Sequence, residues 1–409
     1  MRCKYLLPAS TRKAMWAVAF ALGAAGFAVQ LAAAPADPVS TLAPAPGCDH
    51  HEPGLHAVLC DARLDAIATG WDEILQGPRP GALGGPLLDQ DWRVYADFHD
   101  GRVGFRQPFA ESQGLGPHFN ATSCAGCHAT PNLGGRGRDV ESEGIRVHGP
   151  AEVGREAMSL RKQAAVGFQL EPAEGPVSKL KSPPLYGYGL LDSVPRAVHL
   201  GNVDAADADG NGIRGMVNVR AGHASRFGQK ANEIDLLRFV AGALRVEMGL
   251  TSPLDRNQAP DADALPDPEV PASLVRRIDA FVRHLAPPPR GPVGPQELEG
   301  ERLFGELGCV GCHRPQLGTV QGAYTDLLLH DLGRRLDNGL IDGLAQGRHW
   351  RTPPLWGFRF RERYLHDERA ASVHEVQRLH GGEAAQVSAR FLALPAAKQA
   401  QVVAFLRSL

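Results

Sequence analysis

Two widely separated stretches of the chain place apolar residues at helical spacing. Ile278, Phe281, Val282 and Leu285 stand at i, i+3, i+4 and i+7, and Val402, Phe405, Leu406 and Leu409 repeat that spacing at the C-terminus. A stripe of this kind is one face of an amphipathic helix, so each predicts a helix laid on a core. A further helix is predicted over 296–307, running straight into Cys309. Upstream of each stripe lies a second repeat. Lys181-Ser-Pro-Pro-Leu-Tyr-Gly-Tyr188 returns as Arg351-Thr-Pro-Pro-Leu-Trp-Gly-Phe358, with four positions identical and the others alike in chemistry. The proline-rich run 286–292 separates the two sets and reads as a stiff linker. The pattern predicts a mainly α protein with long irregular loops, built from similar units over 91–288 and 289–409.

The first 36 positions read as a signal peptide or an N-terminal anchor. Arg2, Lys4, Arg12 and Lys13 make a basic start, the apolar run 14–31 follows, and Ala34-Pro35-Ala36 has the form of a cleavage site. The apolar run is long for a cleaved signal, which keeps a membrane anchor open. Either way the expected compartment is the periplasm. Residues 37–90 form an extension in which Cys48 and Cys60 flank a short segment carrying His50, His51 and His56. In an oxidising compartment a disulfide between those cysteines is the expectation.

Four other cysteines carry the chemistry. Cys124-Ala-Gly-Cys127-His128 and Cys309-Val-Gly-Cys312-His313 are two C-x-x-C-H strings, the attachment signature of a c-type haem. On a helical turn, residues three and four apart share a face. Two thiols can then meet the haem's vinyl groups while the adjoining imidazole meets the iron. A zinc site would need four neighbouring ligands, and a thioredoxin-like pair has no use for the histidine. The expected cofactors are two covalently bound haem c groups, one in each of the two units, with His128 and His313 as proximal ligands.

Composition adds limits. The formal net charge is −2 and no basic run stands out, which argues against a nucleic-acid partner. Beyond the leader nothing is long and apolar enough to span a bilayer, so membrane contact is expected only through an uncleaved N-terminal segment. Gly134-Gly-Arg136-Gly-Arg138 lacks the ending of a phosphate loop. Arg136 and Arg138 are instead candidate partners for haem propionates, because guanidinium binds carboxylate bidentately. Asp207, Asp209 and Asn211 begin a calcium-like loop. Asn218 stands where the closing carboxylate belongs, so an Asx-rich turn competes with calcium.

The strings FNATSCAGCH, PPLYGYGLLDSVP, DADGNG, LLLHDLG, WRTPPLWG and RYLHD resemble the di-haem oxidoreductase family, also called thiol-oxidoreductase-like. That family is similar to bacterial di-haem cytochrome c peroxidases. The resemblance runs from about Asp91 to the C-terminus and is weaker over 139–175. It implies two facing cytochrome c-like domains with electron transfer between their irons.

The distal ligands follow from the resemblance and the internal repeat. His380 stands where the related peroxidases carry a ligating Met, with His366 as the alternative. His330 is expected along the haem edge. In the first half the repeat places Met248 opposite His380 and His199 opposite His366, and His148 lies near the spacing of the peroxidases' displaceable histidine. Met248 reads equally well as a core residue. Glu233 is the candidate acid–base group for peroxide chemistry. Trp350 and Trp356 could stand between the haems or simply pack. The expected activity is peroxidase-like, with a small oxidant such as peroxide and a small cytochrome or cupredoxin as redox partner. Two alternatives stay open: a non-catalytic electron carrier, and a haem-based redox partner in metal handling.

Overall fold

The computed structural model describes residues 78–409 except 89, 138–144, 149–157, 171, 174, 176, 256–262 and 264. The leader, the Cys48–Cys60 pair and Arg138 lie outside the described residues, and of the side chain of His148 nothing is described. The described residues belong to one compact unit. It is predominantly helical, with short strands. Its helices are α1 (Trp92–Arg106), α2 (Tyr188–Asp192), α3 (Arg196–Leu200), α4 (Leu236–Met248), α5 (Ala272–His284), α6 (Pro295–Leu307), α7 (Val373–Leu379), α8 (Ala385–Leu392) and α9 (Ala396–Ser408). The strands pair antiparallel, the widest sheet having three with Ile145–His148 in the middle.

Local chemistry sets the helix ends. Asp91, Asp235 and Ser372 cap α1, α4 and α7 by accepting main-chain N–H bonds from Arg93, Arg238 and Glu375. Helix α6 starts with Pro295 in its first turn and the Glu297 carboxylate on the Gly294 N–H, 2.8 Å away. It ends at Gly308, whose φ of +94° turns the chain directly into Cys309.

Two helix pairs build the fold, and they are copies of one another. Helix α1 packs on α5, and α6 packs on α9. Gly101 of α1 sits so close to α5 that a Cβ there would lie 2.0 Å from the Arg277 carbonyl oxygen. Gly300 of α6 meets α9 in the same way, 1.9 Å from the Gln401 oxygen. One turn later, Phe105 meets Phe281 at 4.8 Å between ring centroids and Phe304 meets Phe405 at 5.2 Å. The repeated turns dock alike. Gly187 N–H donates to the Leu285 carbonyl and Gly357 N–H to that of Leu409. Both apolar stripes are buried as their spacing predicts. The first pair belongs to a core that also holds Leu191, Phe227, Leu244 and Met248. The second gathers Leu303, Phe304, Tyr364, Phe391 and Leu406.

Among the described residues no helix is long and apolar enough to cross a membrane.

Candidate haem sites

Each C-x-x-C-H string forms a single 3₁₀ turn, Cys124–Gly126 and Cys309–Gly311, rather than a longer helix. The turn still brings the histidine back over the first cysteine: His128 N–H donates to the Cys124 carbonyl at 3.0 Å, and His313 N–H to that of Cys309 at 2.9 Å. The middle glycine of the second turn lets Ile213 pack close, since a Cβ on Gly311 would fall 2.4 Å from Ile213 Cδ1 and push that side chain aside. None of these four thiols is in a disulfide. Burial pushes Cys124 and Cys309 up to about 12 and raises Cys312. Buried, protonated thiols are the reverse of a thioredoxin-like pair, which needs an activated thiolate.

The two histidines expected as proximal ligands are held alike. His128 Nδ1–H donates to the Gly135 carbonyl at 3.1 Å, and His313 Nδ1–H to the Tyr324 carbonyl at 3.0 Å. A carbonyl can only accept, so Nδ1 carries the proton and Nε2 keeps its lone pair. Burial depresses both imidazoles, His313 to about 4, and so keeps them neutral. Phe105 and Phe304 each stand 6.3 Å from their imidazole, tilted by 57° and 56°.

Beside the second turn opens a cavity of about 240 Å³, lined among others by Cys309, Cys312, His313, His366, His380 and Trp350. His380 lies just past α7 and donates Nδ1–H to the Val376 carbonyl at 2.8 Å, so its Nε2 is also a free lone pair. Burial lowers His380 as well, so both imidazoles that line this cavity are neutral. His366 is held differently. Its ring lies flat on Trp350 at 3.6 Å and 9°, its Nε2 is buried without a hydrogen bond, and burial lowers it to about 4. Lys230 Nζ covers the Trp350 ring at 3.6 Å and donates to the carbonyls of Gln346, Gly347 and His349.

His330 lines the same cavity, as expected, but as part of a buried charge cluster. Its Nε2 meets Asp326 at 2.9 Å and its Nδ1 meets Glu383 at 2.7 Å. Both ring nitrogens donate to carboxylates, which makes it an imidazolium. Burial alone would lower His330, yet these partners raise it well above its ordinary value. Glu383 also accepts the N–H groups of Arg214, Gly215 and Asp331. Burial opposes its ionisation, but His330 and those amides bring its carboxyl down to about 2.

The far wall of the cavity is cationic, with Arg136, Lys181, Arg351, Arg361 and Arg363 against the single carboxylate of Glu368. Arg136 Nε and Ser182 Oγ are buried there without a hydrogen bond. Orphaned donors in a cavity beside a C-x-x-C-H turn suit the carboxylates of a bound group, and the residues present fit a haem.

The remaining candidates lie elsewhere. Met248 is 3% exposed within the first core. His199 is buried on α3, Nε2 facing the Leu327 carbonyl at 3.4 Å. Glu233 exchanges main-chain bonds with Phe227, its carboxylate is turned toward Gly242, and it does not line the cavity. Trp356 packs in the first core, its ring against Gly187. Asp204, Asp207 and Asp209 bring carboxylate oxygens within 4.8 Å of one another. These carboxylates already accept the N–H groups of Ala208, Gly212 and Asn211, and the Asn211 amide donates to Asp209. That is the bonding of an Asx-rich turn. Asp204 was not legible as a member from the loop motif, because it lies outside the alternating positions. Lys230, Glu368 and the Asp326–Glu383 pair were missed as well, since no local motif joins them to the haem strings.

No curated protein sequence matches the chain. Several solved structures resemble it distantly, among them the following three. Hydrazine synthase of Kuenenia stuttgartiensis has 12% identity over 94% of this chain and 100% of its own, with a TM-score of 0.40. A variant of the diheme peroxidase BthA from Burkholderia thailandensis has 16% identity over 81% and 88%, with a TM-score of 0.42. A MauG-like protein associated with microbial copper homeostasis has 15% identity over 81% and 94%, with a TM-score of 0.40. A family model described as "Di-haem oxidoreductase, putative peroxidase" matches residues 176–409, more than half of the sequence, and the chain therefore belongs to the di-haem oxidoreductase family.

Proposed function

We propose that the protein is an exported c-type cytochrome oxidoreductase of the periplasm that carries two covalent haems and reduces a small oxidant such as peroxide. Cys124 and Cys127 would attach the first haem and Cys309 and Cys312 the second, with His128 and His313 on the irons. Haem supplies one-electron redox chemistry. The chain's own residues supply the rest: the carbonyls of Gly135 and Tyr324 fix the ligand tautomers, Phe105 and Phe304 pack against the rings, and Arg136 and Ser182 offer donors to propionates. Reduction of a peroxide to two waters takes two electrons and two protons, and the electrons would come from a small cytochrome or cupredoxin.

The observation that carries this reading is the pair of imidazoles on one cavity. His313 and His380 both give Nδ1–H to a main-chain carbonyl and both keep Nε2 for a metal. A haem held by two histidines is closed to substrate and passes electrons. The second haem is thus the electron-entry site, and reaction with oxidant falls to the first. Pyridine haemochrome counting together with EPR of the oxidised and half-reduced protein tests this. Two haems are expected, one low-spin with paired histidine ligands and one that changes spin state or binds small ligands when its partner is reduced. Two low-spin irons in every redox state would instead make the protein an electron carrier.

A further inference from the structure

One buried carboxylate joins the proximal side of the first motif to the second half of the chain. Glu368 is 8% exposed and lies in the loop closed by the Tyr364–Ala370 bridge. Its Oε1 meets Arg136 Nη1 at 3.0 Å and its Oε2 meets Lys181 Nζ at 3.2 Å. All three side chains are almost wholly buried, so solvent screens these pairs little.

The two cations are next to the groups that orient His128. Arg136 directly follows Gly135, whose carbonyl takes the His128 Nδ1–H. Lys181 stands two residues before Pro183, whose carbonyl also faces the His128 ring. The same loop of the second half reinforces the contact, because Lys181 N–H donates to the His366 carbonyl at 2.7 Å. Second-shell partners of this kind set the orientation and basicity of a ligating histidine.

The backbone at Glu368 carries an independent signal. Its φ is +59°, the left-handed region that a residue with a long side chain rarely adopts. Strain of this sort persists where the surrounding structure over-determines it, and it gathers at functional positions. Glycine would hold the turn without strain, yet glycine could not reach Arg136 and Lys181.

We infer that Glu368 is a positioning residue for the first haem, a clamp supplied by the second half that fixes the Gly135 and Pro183 carbonyls on His128 through Arg136 and Lys181. The inference rests on the two-haem reading above. It means that the first iron's ligand field is set partly from the other half of the molecule.

Glu368→Gly and Glu368→Gln in the full, haem-loaded protein test it. Glycine suits the backbone at this turn, so that variant loses the carboxylate while relieving the φ strain. Both variants leave Arg136 and Lys181 buried without their anion, and far-UV circular dichroism checks that each is folded. Covalent haem counted in the parent tests the two-haem reading by itself, and the difference between parent and variants tests the clamp. In both variants the EPR g-values of the first haem should shift and its midpoint potential should rise, because a negative charge is removed and His128 is loosened. The second haem, whose cavity Glu368 also lines, should shift in potential but keep its low-spin g-values, because His313 and His380 are oriented by the carbonyls of Tyr324 and Val376. Glu368→Asp should restore part of the first haem's signature. Parent g-values at the first haem in both variants would overturn the clamp. So would equal potential shifts at both haems with unchanged g-values, which would reduce Glu368 to a background charge.

Discussion

The two C-x-x-C-H turns share nearly everything on the side of the proximal histidine. Each follows or faces a helix whose glycine lets a partner helix approach within backbone contact, and each histidine donates Nδ1–H to a carbonyl with a phenylalanine 6.3 Å from its ring. They part on the other side. The second turn faces a cavity with His380 across it, whereas the repeat partner of His380 in the first half, Met248, is packed in the core. Matched proximal sides would give two irons the same attachment. Any division of labour between them must therefore come from the distal groups and from what surrounds them.

The largest test removes one side of the comparison. Replacing both cysteines of either motif by alanine should leave one covalent haem, read by haem staining after denaturing electrophoresis and by pyridine haemochrome. Two haems surviving either replacement would break the equivalence of the turns.

The next test targets the difference. His380→Met should raise the potential of the second haem, since a thioether ligand stabilises ferrous iron, and should add a sulfur-to-iron charge-transfer band in the red. His380→Gly should open that iron to added imidazole. If both variants keep the parent spectrum and potential, His366 takes the distal role.

The shared helix crossing gives a third measurement. Gly101→Ala and Gly300→Ala each force a methyl into a carbonyl oxygen on the facing helix. Each should destabilise by about 1–3 kcal/mol or more, as overpacking does. Chemical denaturation should show similar losses for the two, and an unperturbed midpoint in one would mean that the pairs are not mechanically alike.

The smallest effect separates the second site from the first by pH. Glu383 ionises in the unfolded chain near 4.5 and in the folded protein at about 2, so its contribution is complete above about 4.5 and is lost as pH falls toward 2. His330 is raised above 6.5, so its contribution is complete below 6.5 and is lost only as pH rises through its elevated value. Glu383→Gln should flatten the acid limb of stability between pH 4.5 and 2, followed by thermal melts across that range. An unchanged acid limb would place the acid-labile charges elsewhere.

Much of the fold was written in local pattern. The stripes ending at Leu285 and Leu409, the helix entering Cys309 and the paired Pro-Pro-Leu turns all appear where periodicity and repetition put them. Helix α1 was not legible, because Gly101 and Gly104 dilute its helical signal. Gly101 is there for a neighbour that sequence does not show, the backbone of α5. The two C-x-x-C-H turns were legible because their residues lie within five consecutive positions, and a local motif of that length survives folding as one turn. Which nitrogen of each histidine stays free was decided by carbonyls of Gly135, Tyr324 and Val376, and no spacing rule encodes those contacts. The clamp of Glu368 on Arg136 and Lys181, and of Glu383 on His330, joins residues far apart in the chain. Local sequence fixes turns, caps and helix faces through short-range sterics and hydrogen bonds. Buried charge finds its partner only when distant segments fold together and exclude water, and that step belongs to the tertiary structure.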